Sequence, residues 1–266
     1  MIAQIAEAAG VDRIFVDLEY IGKKERQGGK DTVQSKHTID DVKCIANAVS
    51  VAEVLVRVNP IHEATEMYAS SLEEIDAVIA NGAHIVMLPF FKTVEEVKKF
   101  LSMVNGRAKT MLLVETPEAV EIIDKVLELE GIDFIHIGLN DLSIGYGMRF
   151  LFELLTDGTV ERLCGKFRTK GIPYGFGGMA SLGGGLVPGR VVLKEHYRLG
   201  STCAILSRSF CNVNKITQLD RIKTIFTNGV KEIRNLEEVC QGYINFFASN
   251  KKELDQTVNA IVSGEE

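Results

Sequence analysis

Acidic side chains close two short apolar runs of this chain. Glu115 ends the run at 111–115 and Asp141 ends the run at 134–141. Such runs are typical of buried parallel strands, whose carboxyl ends lie on the face where α/β enzymes bind ligands. Carboxylate oxygens suit Mg²⁺ or Mn²⁺, with water and substrate oxygens in the remaining positions. We therefore expect Glu115 and Asp141 to hold one divalent cation, the alternative being ion pairs with Lys or Arg.

Arg57 is a third candidate, at the end of the apolar run at 54–58. A buried guanidinium without a partner is costly, so one interpretation is a structural salt bridge to a neighbouring carboxylate. The other is a fork that binds a substrate carboxylate through two hydrogen bonds, a task for which Arg is better suited than Lys. Asp17 and Glu19 end another apolar run and are expected on the same face as Arg57.

The elements that position these residues alternate along the chain. Amphipathic helical segments, most of them ending in a glycine that fits a helix C-cap, precede short apolar strands. This alternation predicts an α/β fold, a TIM (β/α)8-type barrel. The chain opens on a helix at 2–9, so the first strand is missing from this chain, or the sheet is open or completed by another segment. The predicted strands are 13–18, 54–58, 84–88, 110–114, 134–138, 173–177 and 202–206.

More helix follows the last predicted strand than one closing barrel unit requires. We expect helices at 214–229, 235–247 and 251–262, and divide the chain into a barrel domain, 1–213, and C-terminal helices, 214–266. An apolar set with helical spacing lies in this tail, and it packs on the barrel or on a neighbouring subunit. The set is Val239, Tyr243, Phe246 and Phe247.

Composition limits the classes of partner. With 266 residues, 25% of them charged, and a net charge of -6, the chain has no excess of the Lys and Arg that bind nucleic-acid phosphates. Its basic cluster is interrupted by acids and predicts a solvated loop. We find no apolar run of about 18 to 20 residues and no signal-peptide pattern, so we expect no membrane partner and a cytoplasmic location. The cluster is Lys23, Lys24, Arg26 and Lys30.

Four segments in order resemble the HpcH/HpaI family of 2-oxo-acid aldolases and citrate lyases. They are FVDLE at 15–19, VRVNP at 56–60, VETP at 114–117 and GLNDLS at 138–143. Each motif is short, but four at predicted strand ends make a fairly specific signal. The resemblance implies a TIM barrel that acts on a pyruvate-like group.

The resemblance also implies roles for individual residues. Glu115 and Asp141 would bind Mg²⁺, Mn²⁺ or a similar ion that chelates the 2-oxo acid and stabilises its enolate. Arg57 would face the carboxylate or carbonyl of the substrate. The backbone around Gly138 to Asp141, Asn140 included, would help to seat the pyruvate carboxylate. We expect Asp17 and Glu19 to order water or the residues behind the site. Family membership further implies a homo-oligomer, a trimer or hexamer.

Two departures from the aldolase pattern affect proton transfer. The His that ends the first motif in aldolases is Tyr20 here, and its acidic partner is absent from the stretch around Ala80. Tyr20 could donate or relay a proton, although a pKa of about 10 makes it a poor base. His37 is the alternative, since an imidazole suits acid/base work, although it could equally be a solvent-exposed loop residue. His136 lies mid-strand and is expected in the core.

These observations predict a divalent-metal-dependent carbon–carbon lyase that acts on a small-molecule 2-oxo acid through a pyruvate-like enolate. The missing acid/base pair keeps two alternatives open. One is other enolate chemistry on an acyl-CoA or phosphorylated substrate, whose phosphate the glycine-rich loop at 175–185 could bind through its backbone, although this loop could equally form a flexible lid or approach a substrate closely. The other is a barrel that binds metal and carboxylate without catalysis.

Overall fold

A computed structural model describes residues 1–23, 36–242 and 245–264. The fold is α/β of the TIM-barrel type, as predicted, and its described residues form seven parallel strands that follow one another in the sheet in chain order. The strands are β1 Arg13–Asp17, β2 Glu53–Arg57, β3 Ile85–Leu88, β4 Lys109–Val114, β5 Phe134–Ile137, β6 Tyr174–Met179 and β7 Cys203–Leu206. Within the described ranges, no strand precedes the first helix, and no helix is long and apolar enough to cross a membrane.

Helices occupy most of the connections between strands. The first half of the chain contains α1 Ile2–Ala8, α2 Ile39–Ala48, α3 Ser71–Ala80, α4 Val94–Val104, α5 Pro117–Glu121 and α6 Ile123–Val126. The second half contains α7 Leu139–Gly145, α8 Glu153–Thr156, α9 Thr159–Lys170, α10 Gly189–Leu199, α11 Leu219–Gly242 and α12 Phe247–Ser263. A capping box begins α4, because Thr93 Oγ1 accepts from Glu96 N at 3.2 Å and Glu96 Oε2 accepts from Thr93 N at 2.8 Å.

The chain divides into two compact units, and the first comprises Asp12–His136 with Met1 and Ala3. Its core contains side chains of β2, β3 and β4, among them Leu55, Met87 and Met111. β1 and β2 are parallel and pair Arg13 with Glu53 at one end and Asp17 with Arg57 at the other. The polar residues at the carboxyl ends of these strands are therefore neighbours.

Gly82, at the end of α3, shows why a glycine is needed before a strand. Its φ is +99°, and an added Cβ would lie 2.6 Å from Ala46 Cβ. We expect Gly82→Ala to destabilise the protein by about 2 to 3 kcal/mol, because it adds both backbone strain and a steric overlap. Gly106 has a φ of +67° and open space around it, so Gly106→Ala should show only the backbone part, about 1 kcal/mol. Equal effects in urea denaturation would contradict this explanation.

The second unit comprises Ile137–Glu266 with Ile2 and Gln4–Val11. Its core includes Met179 of β6, Leu193 of α10, and Val230 and Ile233 of α11. The last helix is also anchored inside this unit. Asn250 Nδ2 of α12 donates to the Val191 carbonyl and to Glu195 Oε1 of α10, both at 3.1 Å.

The C-terminal helices differ in number from the prediction. Two described helices, α11 and α12, replace the expected three, and Gly229 lies inside α11 instead of ending a helix. Position 229 is a glycine because of packing and not because a helix ends there, since a Cβ on Gly229 would lie 2.8 Å from Phe210 Cε2. These helices contact the rest of their own unit, yet Val239 is 55% exposed. Tyr243 of the predicted apolar set lies outside the described residues, and the boundary at 213 and 214 stays a prediction.

Candidate active site

Asp17 and Arg57 form a bidentate ion pair at the carboxyl ends of β1 and β2. Arg57 Nε donates to Asp17 Oδ1 and Arg57 Nη2 donates to Asp17 Oδ2, both at 2.8 Å. Because the two residues are paired in the strand register, their side chains meet directly. The Arg57 side chain is 15% exposed, so the salt bridge is largely shielded from water. Geometry of this kind fixes the plane of the guanidinium.

Glu19 and Lys23 complete a cluster that we call the charge quartet: Asp17, Glu19, Lys23 and Arg57. Lys23 Nζ lies 2.8 Å from Asp17 Oδ2 and 3.5 Å from Glu19 Oε2, and Arg57 Nη1 lies 3.3 Å from Glu19 Oε2. Two carboxylates and two cations therefore alternate within one buried cluster.

The prediction of a solvated basic loop is wrong for Lys23, whose side chain is 4% exposed. Gly22 has a φ of +68°, and the Lys23 amide donates to the Tyr20 carbonyl at 3.3 Å. This turn returns Lys23 to the strand end, which a charge pattern alone does not reveal. The other members of the predicted basic cluster, Lys24, Arg26 and Lys30, lie outside the described residues.

The quartet alters the acidity of Asp17. Burial alone would raise the pKa of this carboxyl, but hydrogen bonds and charge from Arg57, with the charge of Lys23, lower it from 3.8 to about 2. The carboxylate is thus ionised at any pH at which the protein is expected to work.

The lowered pKa of Asp17 predicts that the free energy of unfolding decreases at acid pH, a part of the stability curve that we call the acid limb. Because the folded pKa is below the unfolded value, the contribution is fully present above pH 3.8 and is lost as pH falls through about 2. It amounts to about 2 kcal/mol. Asp17→Asn should remove it, so the stability difference between wild type and variant, measured by urea denaturation, should shrink below about pH 4. Asp76→Asn, at an ion-paired carboxylate whose side chain is 49% exposed, serves as control and should leave the slope unchanged.

Glu115 lies directly after β4 and is 3% exposed. Its charge acts on Arg57. Burial alone would lower the pKa of the Arg57 guanidinium, but the hydrogen bond to Asp17 and the charges of Glu19, Asp17 and Glu115 raise it above its usual range. The predicted strand-end acids and Arg57 of the first unit therefore influence one another electrostatically.

Phe90 orients the Glu115 carboxylate. Its backbone N–H donates to Glu115 Oε1 at 3.0 Å. The φ of Phe90 is +50°, a conformation that is uncommon for a residue other than glycine and that persists where surrounding structure imposes it. The loop after β3 thus adopts an unfavourable backbone conformation that directs an amide at Glu115.

Asn59 fixes the segment that carries Glu19 and Tyr20. Its Oδ1 accepts from the Tyr20 and Ile21 amides, both at 2.9 Å, and its Nδ2 donates to Glu74 Oε1 of α3 at 2.8 Å. Asn59 is 1% exposed. This buried amide connects the ends of β1 and β2 to α3.

Tyr20 and His37, the predicted proton-transfer residues, differ in their surroundings. Tyr20 is 51% exposed, its ring contacts Tyr68, and its pKa is raised by burial and by the charge of Glu74. Its phenol therefore stays protonated and can donate, not accept, a proton. His37 is exposed but reaches the site, because its Nδ1 accepts from the Asp17 amide at 3.3 Å. His136 is buried, as predicted.

The second unit holds the remaining predicted residues. Gly138 precedes α7, and Asn140 and Asp141 lie in its first turn, where the helix dipole favours a carboxylate. Asn140 Nδ2 donates to Asp141 Oδ1 at 2.9 Å, and the Asn140 carbonyl accepts from Ser143 Oγ at 2.8 Å. Asn140 is exposed and Asp141 is half-buried, between the buried residues Leu139 and Leu142 of the helix.

Two glycines inside β6, Gly177 and Gly178, pack closely against neighbouring elements. A Cβ on Gly177 would lie 2.8 Å from Leu139 Cδ1, and one on Gly178 would lie 3.2 Å from Ser207 Cβ. Close packing, together with a φ of +54°, therefore accounts for the glycine at 177 and leaves little room for a side chain at 178, without any bound phosphate.

Sequence reasoning missed the contributions of Lys23 and Asn59. A signal for Lys23 exists in retrospect: it follows a turn-forming glycine and lies four residues after Glu19. Asn59 stands inside the VRVNP motif, but nothing in that motif shows that its amide bonds two separate backbone groups.

Comparison with known proteins places this arrangement in a family. The sequence profile described as HpcH/HpaI aldolase/citrate lyase matches residues 1–150, a range that contains the charge quartet, Glu115 and Asp141. The chain belongs to the HpcH/HpaI aldolase/citrate lyase family. A search of curated proteins finds no significant sequence match.

Solved structures of two HpcH/HpaI proteins and of a citrate synthase share the fold at low sequence identity. An HpcH/HpaI aldolase from Desulfitobacterium hafniense DCB-2 is 18% identical, with a TM-score of 0.59 over 88% of this chain and 87% of that chain. An aldolase/citrate lyase family protein from Burkholderia cenocepacia J2315 is 14% identical, with a TM-score of 0.58 over 84% and 91%. Citrate synthase SbnG is 18% identical, with a TM-score of 0.59 over 84% and 88%.

Proposed function

We propose that this protein is a divalent-metal-dependent carbon–carbon lyase that acts on a 2-oxo acid through a pyruvate-like enolate. The observation that carries the proposal is the placement of Arg57 at a strand end, where it is 15% exposed and oriented by Asp17, in a chain of the HpcH/HpaI aldolase/citrate lyase family. Cleavage beside a 2-oxo group leaves negative charge on the enolate oxygen. A site for this reaction must therefore hold an anion and stabilise further charge.

Arg57 has N–H groups to offer a substrate. Its described hydrogen bonds are the two to Asp17, and its Nη1 faces Glu19 at 3.3 Å. A guanidinium has more N–H donors than these interactions require. We assign the remaining donors to the carboxylate or carbonyl oxygen of the substrate. Both interpretations made from the sequence then apply, because the salt bridge orients the group that binds the substrate.

Glu115 and Asp141 supply the donor set for the cation. Both are carboxylates, which suits Mg²⁺ or Mn²⁺, and HpcH/HpaI proteins generally depend on a divalent metal. The Phe90 amide holds Glu115 in the manner of an outer hydrogen-bond partner of a metal ligand. The described residues contain no group of three or more His, Cys, Asp or Glu side chains placed to hold a metal ion. Two carboxylates alone would leave the other coordination positions of a six-coordinate ion to water and substrate oxygens. When bound, the ion supplies positive charge that stabilises the enolate.

The remaining residues position the substrate and move protons. Gly138 precedes α7 and Asn140 lies in its first turn, where backbone N–H groups can seat a carboxylate. Asp17 and Glu19 orient Arg57 and order water. Tyr20, whose raised pKa keeps its phenol protonated, donates a proton, and His37 accepts one at Nδ1 when that nitrogen releases the Asp17 amide.

Cleavage of a 4-hydroxy-2-oxo acid tests the proposal. The full chain with Mn²⁺ should release pyruvate from such a substrate, as detected with lactate dehydrogenase, and EDTA should stop the release. Calorimetry with Mn²⁺ and pyruvate is run in parallel. Binding without turnover would favour the non-catalytic barrel, and absence of both would reject the proposed function.

A further inference from the structure

The buried ammonium of Lys23 has no role in the function proposed so far. Its side chain is 4% exposed, less than that of any cation among the described salt bridges. Burial of an ammonium is unfavourable unless carboxylates pair with it. Lys23 has two such partners, Asp17 at 2.8 Å and Glu19 at 3.5 Å.

The same two carboxylates are the partners of Arg57. Asp17 accepts from both cations, and Glu19 Oε2 lies 3.3 Å from Arg57 Nη1. The charge quartet is neutral as a whole. Without Lys23 it would carry one negative charge in excess, and Arg57 alone would face two carboxylates.

We propose that Lys23 is a positioning residue that shares Asp17 and Glu19 with Arg57, and so leaves guanidinium N–H groups directed at an anionic substrate. The inference rests on the proposed function for the identity of the substrate, a 2-oxo acid carboxylate. The sharing of charge within the quartet does not depend on that identity.

The charged groups around Asp17 determine what the loss of Lys23 should do to substrate binding. Arg57 reaches Asp17 from β2, and Lys23 and Glu19 belong to the segment after β1. His37 accepts a hydrogen bond from the Asp17 amide. The charge of Glu115, which follows β4, stabilises the charged form of Arg57. Loss of Lys23 leaves the local charge negative, which repels a substrate carboxylate and draws Arg57 towards Glu19. Substrate affinity therefore falls more than the rate of chemistry.

The test compares Lys23→Met with Lys23→Arg in the full chain with Mn²⁺. We expect Lys23→Met to raise KM for the 2-oxo acid about 10-fold or more, the scale on which outer partners of a site residue act, with a smaller change in kcat. Lys23→Arg should restore most of the affinity. Lys98→Met, at an exposed ion pair with Glu95, is the matched control and should behave as wild type.

A charge-compensated variant separates this role from a merely structural one. Lys23→Met with Glu19→Gln removes one charge of each sign, so the cluster is neutral again and Arg57 faces Asp17 as its one carboxylate. The double variant should bind the 2-oxo acid more tightly than Lys23→Met alone. An unchanged KM in Lys23→Met, or no recovery in the double variant, overturns the proposal.

Failure of the proposed function can be distinguished from failure of the Lys23 inference. If wild type neither binds nor cleaves a 2-oxo acid, the proposed function fails, and the Lys23 inference is judged from stability between about pH 2 and 6. Lys23→Met should shift the acid limb of Asp17 to higher pH, and the double variant should move it back. The inference would be overturned if the stability curves of wild type and Lys23→Met coincide at acid pH. If Lys23→Met does not fold, Lys23→Arg and the double variant are compared with wild type in the same way.

Discussion

The double variant Glu115→Gln and Asp141→Asn is expected to lose Mn²⁺ binding while keeping its fold. Each substitution preserves size and an acceptor oxygen, so the amide introduced at position 115 can still accept the Phe90 N–H that Glu115 accepts at 3.0 Å. The negative charge that attracts the cation is removed. We expect Mn²⁺ affinity to fall by at least about 100-fold, beyond the effect of losing an outer partner of a ligand. Lyase activity should fall with it, and calorimetry with circular dichroism measures metal binding and fold.

A double variant with the same chemistry elsewhere provides the control. Glu118 is partly exposed and paired with Lys92, and Asp124 is exposed in α6. Glu118→Gln with Asp124→Asn removes the same number of charges without touching a strand end. Mn²⁺ affinity that is equal in both double variants would contradict the assignment of Glu115 and Asp141.

Arg57→Lys should reduce kcat/KM about 100-fold. A lysine keeps the charge but loses the planar fork, and charge-assisted hydrogen bonds contribute about 1.5 to 3 kcal/mol each. Arg57→Met should have a second effect on stability. It leaves Asp17 and Glu19 with Lys23 alone, so unfolding should become easier by about 3 kcal/mol, the lower part of the range for breaking a buried pair.

Arg13 is a control on the same two strands. It pairs with Glu53 at the opposite end of β1 and β2, at 3.2 Å and with about a quarter of each side chain exposed. Arg13→Met should cost about 1 kcal/mol or less and leave kcat/KM unchanged. Should Arg13→Lys reduce activity as much as Arg57→Lys, the effect would not be specific to the strand ends that carry the site.

Most of the sheet could be predicted from the sequence because local signals agree with one another. Each predicted strand begins and ends within about two residues of the observed one. Glycines with positive φ precede several strands, among them Gly82, Gly131, Gly171 and Gly200. The prediction of a helix end at Gly229 was wrong, since that glycine is required by the ring of Phe210 and not by a cap. A sequence shows a glycine but not which of these needs it meets.

The candidate site was predictable in outline only. Strand-end position singled out Asp17, Arg57 and Glu115, and the register of β1 and β2 brings the first two together. Which carboxylate would pair with Arg57 depends on a turn at Gly22 and on side-chain conformations, so the sequence left the salt bridge and the substrate fork as alternatives. The strained backbone of Phe90 has no sequence signal, because no local pattern requires a positive φ there. The predicted homo-oligomer stays a prediction.

Exchange of the pyruvate methyl protons in D2O tests the central claim most directly. Enolate formation alone replaces these protons by deuterium, whichever aldehyde the natural substrate carries, and proton NMR with Mg²⁺ follows the loss of the methyl signal. We predict exchange that scales with protein concentration, stops with EDTA and is lost in Glu115→Gln with Asp141→Asn. Saturating pyruvate that binds but shows no exchange above the protein-free rate from about pH 6 to 9 would contradict the claim.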